Sequence, residues 1–259
     1  MANKNIEERT ERTKWFSEAR FGMFIHWGLY AIPARGEWVR SHENIPHEKY
    51  LEYFDEFTAE GYDPREWAAL AKKAGMKYAV LTAKHHDGFC LWDTKLTDFN
   101  SVNAPAKRDL VREYLEAFRE AGIKVGLYFS LIDWRHPDFP HYGDKHHPHR
   151  DDPEQGNEGR DFNRYLEFMH AQIRELLTGY GKLDIMWFDF SYTGMRGEKW
   201  GAAEIMRMIR SIQPHIIVDN RLEGSGGETP GTILTANPSD TAGDFVSPEQ
   251  MIPPFGARN

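Results

Sequence analysis

A single cysteine, Cys90, is all the thiol chemistry in this sequence. One thiol excludes an internal disulfide framework and fits a reducing compartment. Following "DGF", with no activating neighbour in the sequence, it reads as a buried inert side chain rather than a nucleophile. Long apolar runs are also missing: none approaches the roughly 18 uninterrupted residues of a membrane span. The start, "MANKNIEERTERTKWF", is charged throughout and lacks the apolar stretch of a signal peptide. Together these absences predict no membrane partner and a cytoplasmic location. Basic stripes are absent as well. Acidic residues outnumber basic ones 40 to 32, which excludes the electrostatic footprint of a nucleic-acid binder.

What is abundant is aromatic: eight Trp, eleven Tyr and sixteen Phe make 14% of the 259 residues. Most of these fill a core, but several stand beside His, Asp or Glu at the ends of apolar runs. Rings interleaved with polar groups suit a sugar, which offers C–H patches on one side and hydroxyls around its edge. The apolar runs "FGMFIHWG" (21–28), "KYAVLTAKHH" (77–86), "KVGLYFSL" (124–131), "DIMWFDF" (184–190) and "HIIVDNR" (215–221) predict strands buried on both faces. Helical spacing predicts helices over 63–75, 107–122, 159–181 and 197–214, with an Asp-Pro start in the first and Pro214 stopping the last.

Strand and helix in alternation require a parallel sheet. An open nucleotide-binding sheet would carry a glycine-rich turn after its first strand, and "GLYAIPARGEW" is not one. Polar residues stand instead at the C-terminal end of every strand: His26, His85 and His86, Tyr128 with Asp133, Asp189, then Asp219, Asn220 and Arg221. That distribution predicts an α/β fold of the (β/α)8 TIM-barrel type, one catalytic domain over 1–259. Five strands are visible with one or two doubtful ones, at "TILTAN" (232–237) and "GDFVSPEQ" (243–250), about six in all, so the barrel is predicted to be incomplete or irregular.

Asp189 poses the sharpest question, because a charge beside Trp187 and Phe188 is costly unless paired or open to a cleft. It could serve as nucleophile, general base, metal ligand or helix cap. Glu249 in "SPEQ" offers a second carboxylate, and "RGEWV" adds Glu37 with Trp38 as a stacking surface. Two carboxylates flanking a scissile bond are what glycoside hydrolysis needs. His85 and His86, adjacent on one strand, cannot both face the axis unless the strand loosens there. The histidine-rich "HPDFPHYGDKHHPHR" (136–150) is the richest metal-like stretch, yet it follows no single ligand spacing and reads as a solvated loop.

The segments "WFSEARFGMFIHWGLY", "GEW", "AKHHDGFCLWD", "GLYFSLIDWRHPDFP", "ELLTGYGKLDIMWFDF", "DNR" and "DFVSPEQ", in this order from about residue 13 onward, resemble the α-L-fucosidases of glycoside hydrolase family 29. The resemblance implies a retaining exo-glycosidase acting on a fucosylated oligosaccharide or glycoside, with no cofactor or metal. Asp189 matches the family nucleophile. Glu249 matches the acid/base of many members, with Glu37 as a rival because that residue varies in position. His26, Glu37, Trp38, His85, His86, Tyr128, Trp187 and Arg221 fall on positions that line the fucose pocket, His and Arg on hydroxyls and rings on the methyl and C–H face. Phe190 replaces the glycine that commonly follows the nucleophile, which predicts a crowded mouth. Family members continue past "IPPFG" into further barrel strands and a β-sandwich, so open sheet edges are predicted here, and a homo-oligomer is one way to cover them. The rival functions are a fucose-binding protein with impaired catalysis and a metal-dependent barrel hydrolase using the histidines.

Overall fold

All five of the predicted strand segments form parallel strands. The computed structural model describes residues 2–192, 194–223 and 243–247. The strands are β1 (Gly22–Ile25), β2 (Tyr78–Lys84), β3 (Lys124–Ser130), β4 (Ile185–Asp189) and β5 (Ile217–Val218), paired in sequence order. The helices are α1 (Ala2–Ala19), α2 (Val39–His42), α3 (His47–Glu56), α4 (Pro64–Lys73), α5 (Leu110–Glu120), α6 (Phe162–Gly179) and α7 (Ala202–Ile212). Helices α4 to α7 are the crossovers that return the chain to the same end of the sheet. Three of them start on an aspartate whose carboxylate accepts backbone N–H bonds: Asp63 from Arg65 and Glu66, Asp109 from Arg112, and Asp161 from Asn163. The result is a five-stranded arc of (β/α)8 type.

Alternation along each strand divides the apolar residues between two layers. Ala79, Leu81, Val125, Leu127, Met186 and Phe188 join the main core beneath the helices, whereas Val80, Tyr128, Ile185 and Ile217 form a second cluster on the inner face. Register places Phe24, Val80, Gly126, Ile185 and Ile217 side by side across the sheet. One turn of pleat higher come Thr82, Tyr128 and Trp187, and above them Ser130 and Asp189. Asp189 therefore tops an inward-facing column at the C-terminal ends of the strands, where barrels of this type assemble their sites.

The strands are shorter than the apolar runs, because the last residues of each run turn away to build the mouth. β5 keeps two residues, and the doubtful segment 243–250 contributes a single parallel bridge, Phe245 to Asp219, in its described part. The doubtful segment 232–237 lies outside the described residues. Helices α1, α2 and α3 were not predicted. The charged start forms α1, whose Trp15 and Phe16 pack on Tyr78, with Phe16 also 4.8 Å from Phe245. Arg12 of α1 pairs with Asp244 at 2.7 Å, and Asp244 accepts the Val218 N–H at 2.9 Å and Arg210 at 2.5 Å. These contacts tie the first helix to the last described segment. Among the described residues no helix is long and apolar enough to cross a membrane.

Gly126 lets the inner layer close, since a Cβ there would sit 2.6 Å from the Ile185 Cβ and 3.1 Å from Val80. Gly126→Ala should therefore lower stability by about 1–3 kcal/mol through overpacking. Gly61→Ala, where nothing lies within 4 Å, should stay within about 0.5 kcal/mol of the parent. Urea midpoints of the two variants check this, and equal midpoints would refute the close approach.

Candidate active site

The column of residues beneath Asp189 explains how a charge survives beside aromatic rings. Tyr128 on β3 donates its O–H to Asp189 Oδ2 at 2.8 Å, and Arg221, just past β5, donates from Nη1 to Oδ1 at 2.9 Å. Each carboxylate oxygen thus has a donor, one of them cationic, and the charge-assisted bonds offset the desolvation of a group only 13% exposed. Burial, and next the neighbouring Asp189 charge, push the Tyr128 phenol well above its ordinary value, so it stays a donor. Arg221 is itself fixed by Ser247, through Oγ at 2.9 Å and the carbonyl at 2.8 Å.

β2 loosens where the histidines stand. Its register shifts between Thr82 and Lys84 and the strand ends there, so His85 and His86 turn to the same side, with ring centroids 3.9 Å apart. His85 lines the cavity. His86 sits behind it against Trp38, Trp134 and Phe190, with Nε2 at 4.0 Å from Asp189 Oδ2. The Ser130 hydroxyl donates to the Ile132 carbonyl at 2.7 Å, so His86 Nδ1 is the donor in its 2.7 Å bond to Ser130. That leaves Nε2 of His86 as an acceptor. Burial, and after it neighbouring histidines, hold both rings well below the ordinary imidazole range. Neutral imidazoles both donate and accept, which is what sugar hydroxyls require.

A cavity of about 960 Å³ opens over this arrangement. Of the predicted residues, His26, Glu37, Trp38, His85, Tyr128, Trp187 and Asp189 all line it. His26 Nδ1 shares a 2.7 Å hydrogen bond with Tyr30, and Glu37 is exposed on the turn before α2. Two predicted residues stand elsewhere. His86 backs the wall, and Arg221, expected on the sugar hydroxyls, is buried and bonds the Asp189 carboxylate from Nη1. Glu249 lies outside the described residues. Asp219, at the end of β5, is fully buried, accepts the Phe188 N–H at 3.0 Å and has its carboxyl pushed well up by burial. It organises strands and does not face the cavity.

The histidine-rich stretch is corrected by the structure: it is no solvated loop at its centre. Lys145, His146 and Arg150 line the cavity, and His147 is buried with Nε2 donating to the Trp134 carbonyl at 3.1 Å while Nδ1 accepts the His149 N–H. Ser41 of α2 donates to the His146 carbonyl at 2.6 Å, and Arg150 donates to the Ser41 carbonyl at 3.2 Å. Phe190 packs between Trp38, His86 and His146, forming the wall that its bulk predicts. Among the described residues no group of three His, Cys, Asp or Glu side chains is placed to hold a metal ion. Cys90 is buried, with its thiol pushed up by burial.

Fold and cavity together define a (β/α)8-type protein whose site is built around one inward carboxylate. The chain belongs to the alpha-L-fucosidase family, whose model matches residues 1–253. The solved alpha-L-fucosidase isoenzyme 1 from Paenibacillus thiaminolyticus is 57% identical with a TM-score of 0.91, over 97% of this chain and 58% of that one. An alpha-L-fucosidase from Lactobacillus casei, in complex with alpha-L-fucose product, is 31% identical with a TM-score of 0.73, over 83% of this chain and 72% of that one. Tissue alpha-L-fucosidase from Rattus norvegicus is 43% identical over 141 residues, 48% of this chain and 30% of the rat protein. The chain thus spans under two thirds of the Paenibacillus and rat relatives.

The buried histidines make stability depend on pH. His146 is held down at about 4 by burial first and then by Lys145 and Arg150, and His147 at about 2 by burial first and then by the neighbouring His141 and Arg40. Unfolded, each titrates near 6.5. Below that pH the unfolded chain binds more protons, so their stabilising contribution is lost as pH falls from about 6.5 toward the lowered native values, at up to about 1.4 kcal/mol per pH unit for buried His147 and less for half-buried His146. Burial raises Asp87, Asp144 and Asp219, which pull the other way. The diagnostic is therefore a difference: between pH 7.5 and 5.5 the urea midpoint of His147→Gln should change less in the acid-destabilising direction than that of the parent. Parallel pH profiles would contradict a neutral buried His147.

Proposed function

We propose that the chain forms the catalytic part of a retaining exo-α-L-fucosidase that releases terminal α-L-fucose from a glycoside. The observation that carries this is the Asp189 carboxylate, fixed by Tyr128 and Arg221 at the floor of a cavity lined by rings and neutral histidines. The fucose product bound in the Lactobacillus casei relative supports the same ligand here.

In the first step Asp189 attacks the anomeric carbon as the bond to the leaving oxygen breaks, and a covalent fucosyl ester forms through an oxocarbenium-like transition state. Because Tyr128 and Arg221 already hold the carboxylate, it needs no reorganisation as its electron pair forms the bond to the anomeric carbon and the electrons of the broken bond leave with the departing oxygen. An acid protonates the leaving oxygen and then, as a base, activates the water that cleaves the ester. Glu249 takes this role, with Glu37 on the cavity wall as the alternative; retention requires the carboxylates about 5 to 5.5 Å apart. Trp187 and Phe24 offer the apolar surface for the deoxy-sugar's C–H face, and His26 and His85 reach its hydroxyls. The chemistry calls for no cofactor, and the chain is proposed to work in the cytoplasm.

Asp189→Ala should lower kcat/KM on an aryl α-L-fucoside by on the order of 10⁴-fold or more. Added azide should restore part of the turnover as fucosyl azide. Retained activity sinks the assignment, and fucose-dependent stabilisation of a parent chain that never turns over would identify a binding protein instead. Glu249→Ala should cost poor leaving groups about 10²- to 10⁴-fold while sparing activated aryl ones. That pattern appearing in Glu37→Ala instead would move the acid/base to Glu37.

A further inference from the structure

The sugar cavity has two ends of different chemistry. At the inner end Phe24, His26, His85, Tyr128 and Trp187 gather around Asp189: Phe24 meets Trp187 and Tyr128, with ring centroids 5.3 and 5.9 Å apart, and His26 meets His85 at 4.9 Å. At the outer end the lining residues gather at His146. Its ring packs on Phe190 at 4.7 Å and on Trp38 at 5.4 Å, and Trp38 in turn stacks on His42 at 6.0 Å. Ser41 donates to the His146 carbonyl at 2.6 Å, and Arg150 Nη1 reaches the Ser41 hydroxyl at 3.3 Å. Lys145, next to His146 in the chain, lines the same cavity.

That outer end is cationic, and its polar atoms are open and unspent. Lys145 is exposed and, among the described residues, makes neither an ion pair nor a side-chain hydrogen bond. The ring nitrogens of His42 and His146 have no hydrogen-bond partner among the described residues either, and neither ring is sealed from the cavity. Arg150 pairs only with Asp151 among these residues, at 3.7 Å, and that acid is 88% exposed. Burial first, then the Lys145 and Arg150 charges, keep the His146 ring neutral, so both cations stand around one point of the wall.

The acids are placed elsewhere. Asp144 is buried, accepts the His146 and His147 N–H groups at 3.0 and 2.8 Å, and does not line the cavity. Asp189 is held by Arg221 at the inner end. Glu37 lines the cavity, and its charge, behind burial and Asp87, helps push up the phenol of Tyr30, the hydrogen-bond partner of His26. Glu37 therefore stands toward the inner end as well.

Fucose with its anomeric carbon at Asp189 occupies the inner end, and the group that departs from the opposite side of that carbon enters the outer one. Trp38 and Phe190 offer rings for the leaving sugar to lie on, and the cations beside them lack an anion. We propose that the outer end binds an anionic leaving residue, so that the preferred substrate carries fucose on an acidic sugar, a uronic acid or a sulfated residue. The placement of fucose rests on the fucosidase reading. Lys145 and Arg150 supply the attraction and select the partner by charge, and the uncharged His146 ring can donate to an acceptor oxygen.

The test is calorimetric titration of the full chain with sulfur-linked aryl α-L-fucosides, which resist hydrolysis: the 4-carboxyphenyl and 4-sulfophenyl compounds against the neutral 4-carbamoylphenyl one. The anionic ligands should bind about three- to tenfold more tightly, the gain from charge pairs partly open to water. In Lys145→Gln that ratio should fall toward one, in Lys145→Glu it should invert, and about 0.5 M salt should shrink it in the parent. Lys145 is exposed, so both substitutions leave the core untouched. A sulfonate bound more tightly than the carboxylate assigns a sulfated sugar, the reverse a uronic acid, and equal tightness an anion of either kind. Equal binding of neutral and anionic compounds by the parent, a preference that survives in Lys145→Glu, or failure of all three to bind overturns the proposal. Turnover of an oxygen-linked aryl fucoside is measured alongside. A parent that cleaves it without any anion preference loses this inference alone, whereas one that prefers the anions without cleaving keeps the anion site and loses the catalytic reading.

Discussion

An ionised carboxylate at the end of a buried strand needs donors within reach, and in this protein the surroundings of Asp189 answer that need. Tyr128 can reach it because β3 and β4 are in register, Tyr128 beside Trp187 and Ser130 beside Asp189. Arg221 can reach it because β5 stops after two residues and the chain turns inward. Ser247 holds Arg221, and the segment bearing Ser247 is anchored by Asp244, which Arg12 of the first helix and Arg210 of the last both grip. The constraint on one charge thus extends from the first helix to the last described segment.

The second electrostatic theme is neutrality. His85 and His86 are buried so deeply that they stay uncharged, and a ring without charge can serve as donor at one nitrogen and acceptor at the other. Ser130 selects which nitrogen does which in His86. A second cavity, lined by Arg40 and Trp134 and also by Glu48, Asp151 and Asp152, stands next to the one His85 lines. α2 contributes to both, Ser41 and His42 to the first and Arg40 to the second.

The sheet and much of the inner site were legible in the sequence because they rest on local signals. Apolar runs bounded by Asp and Gly mark the strands and crossovers, and a charge following "IMWF" announces that its side chain has a partner or a cleft. The rest depends on contacts distant in sequence. His147 is buried because Ser41 and Trp134, more than ten residues away, supply its surroundings, and nothing in "DKHHPHR" distinguishes that from a solvated loop. The family resemblance implied a sugar contact for Arg221, and its strand-end position says which mouth the residue reaches but not which neighbour it meets, here Asp189. Helix α1 has only Trp15 and Phe16 as apolar signals in its second half, too few for a period.

The central claim is that Asp189 is the group that bonds to the sugar. Incubating the chain with a 2-fluoro-fucosyl fluoride, which slows breakdown of the covalent intermediate, and mapping the labelled peptide by mass spectrometry tests it most directly. The account predicts one 2-fluorofucosyl group per chain, on the peptide containing Asp189 and on that residue by fragmentation. A label on any other carboxylate, or turnover of fucosides with inversion at the anomeric carbon, would contradict it.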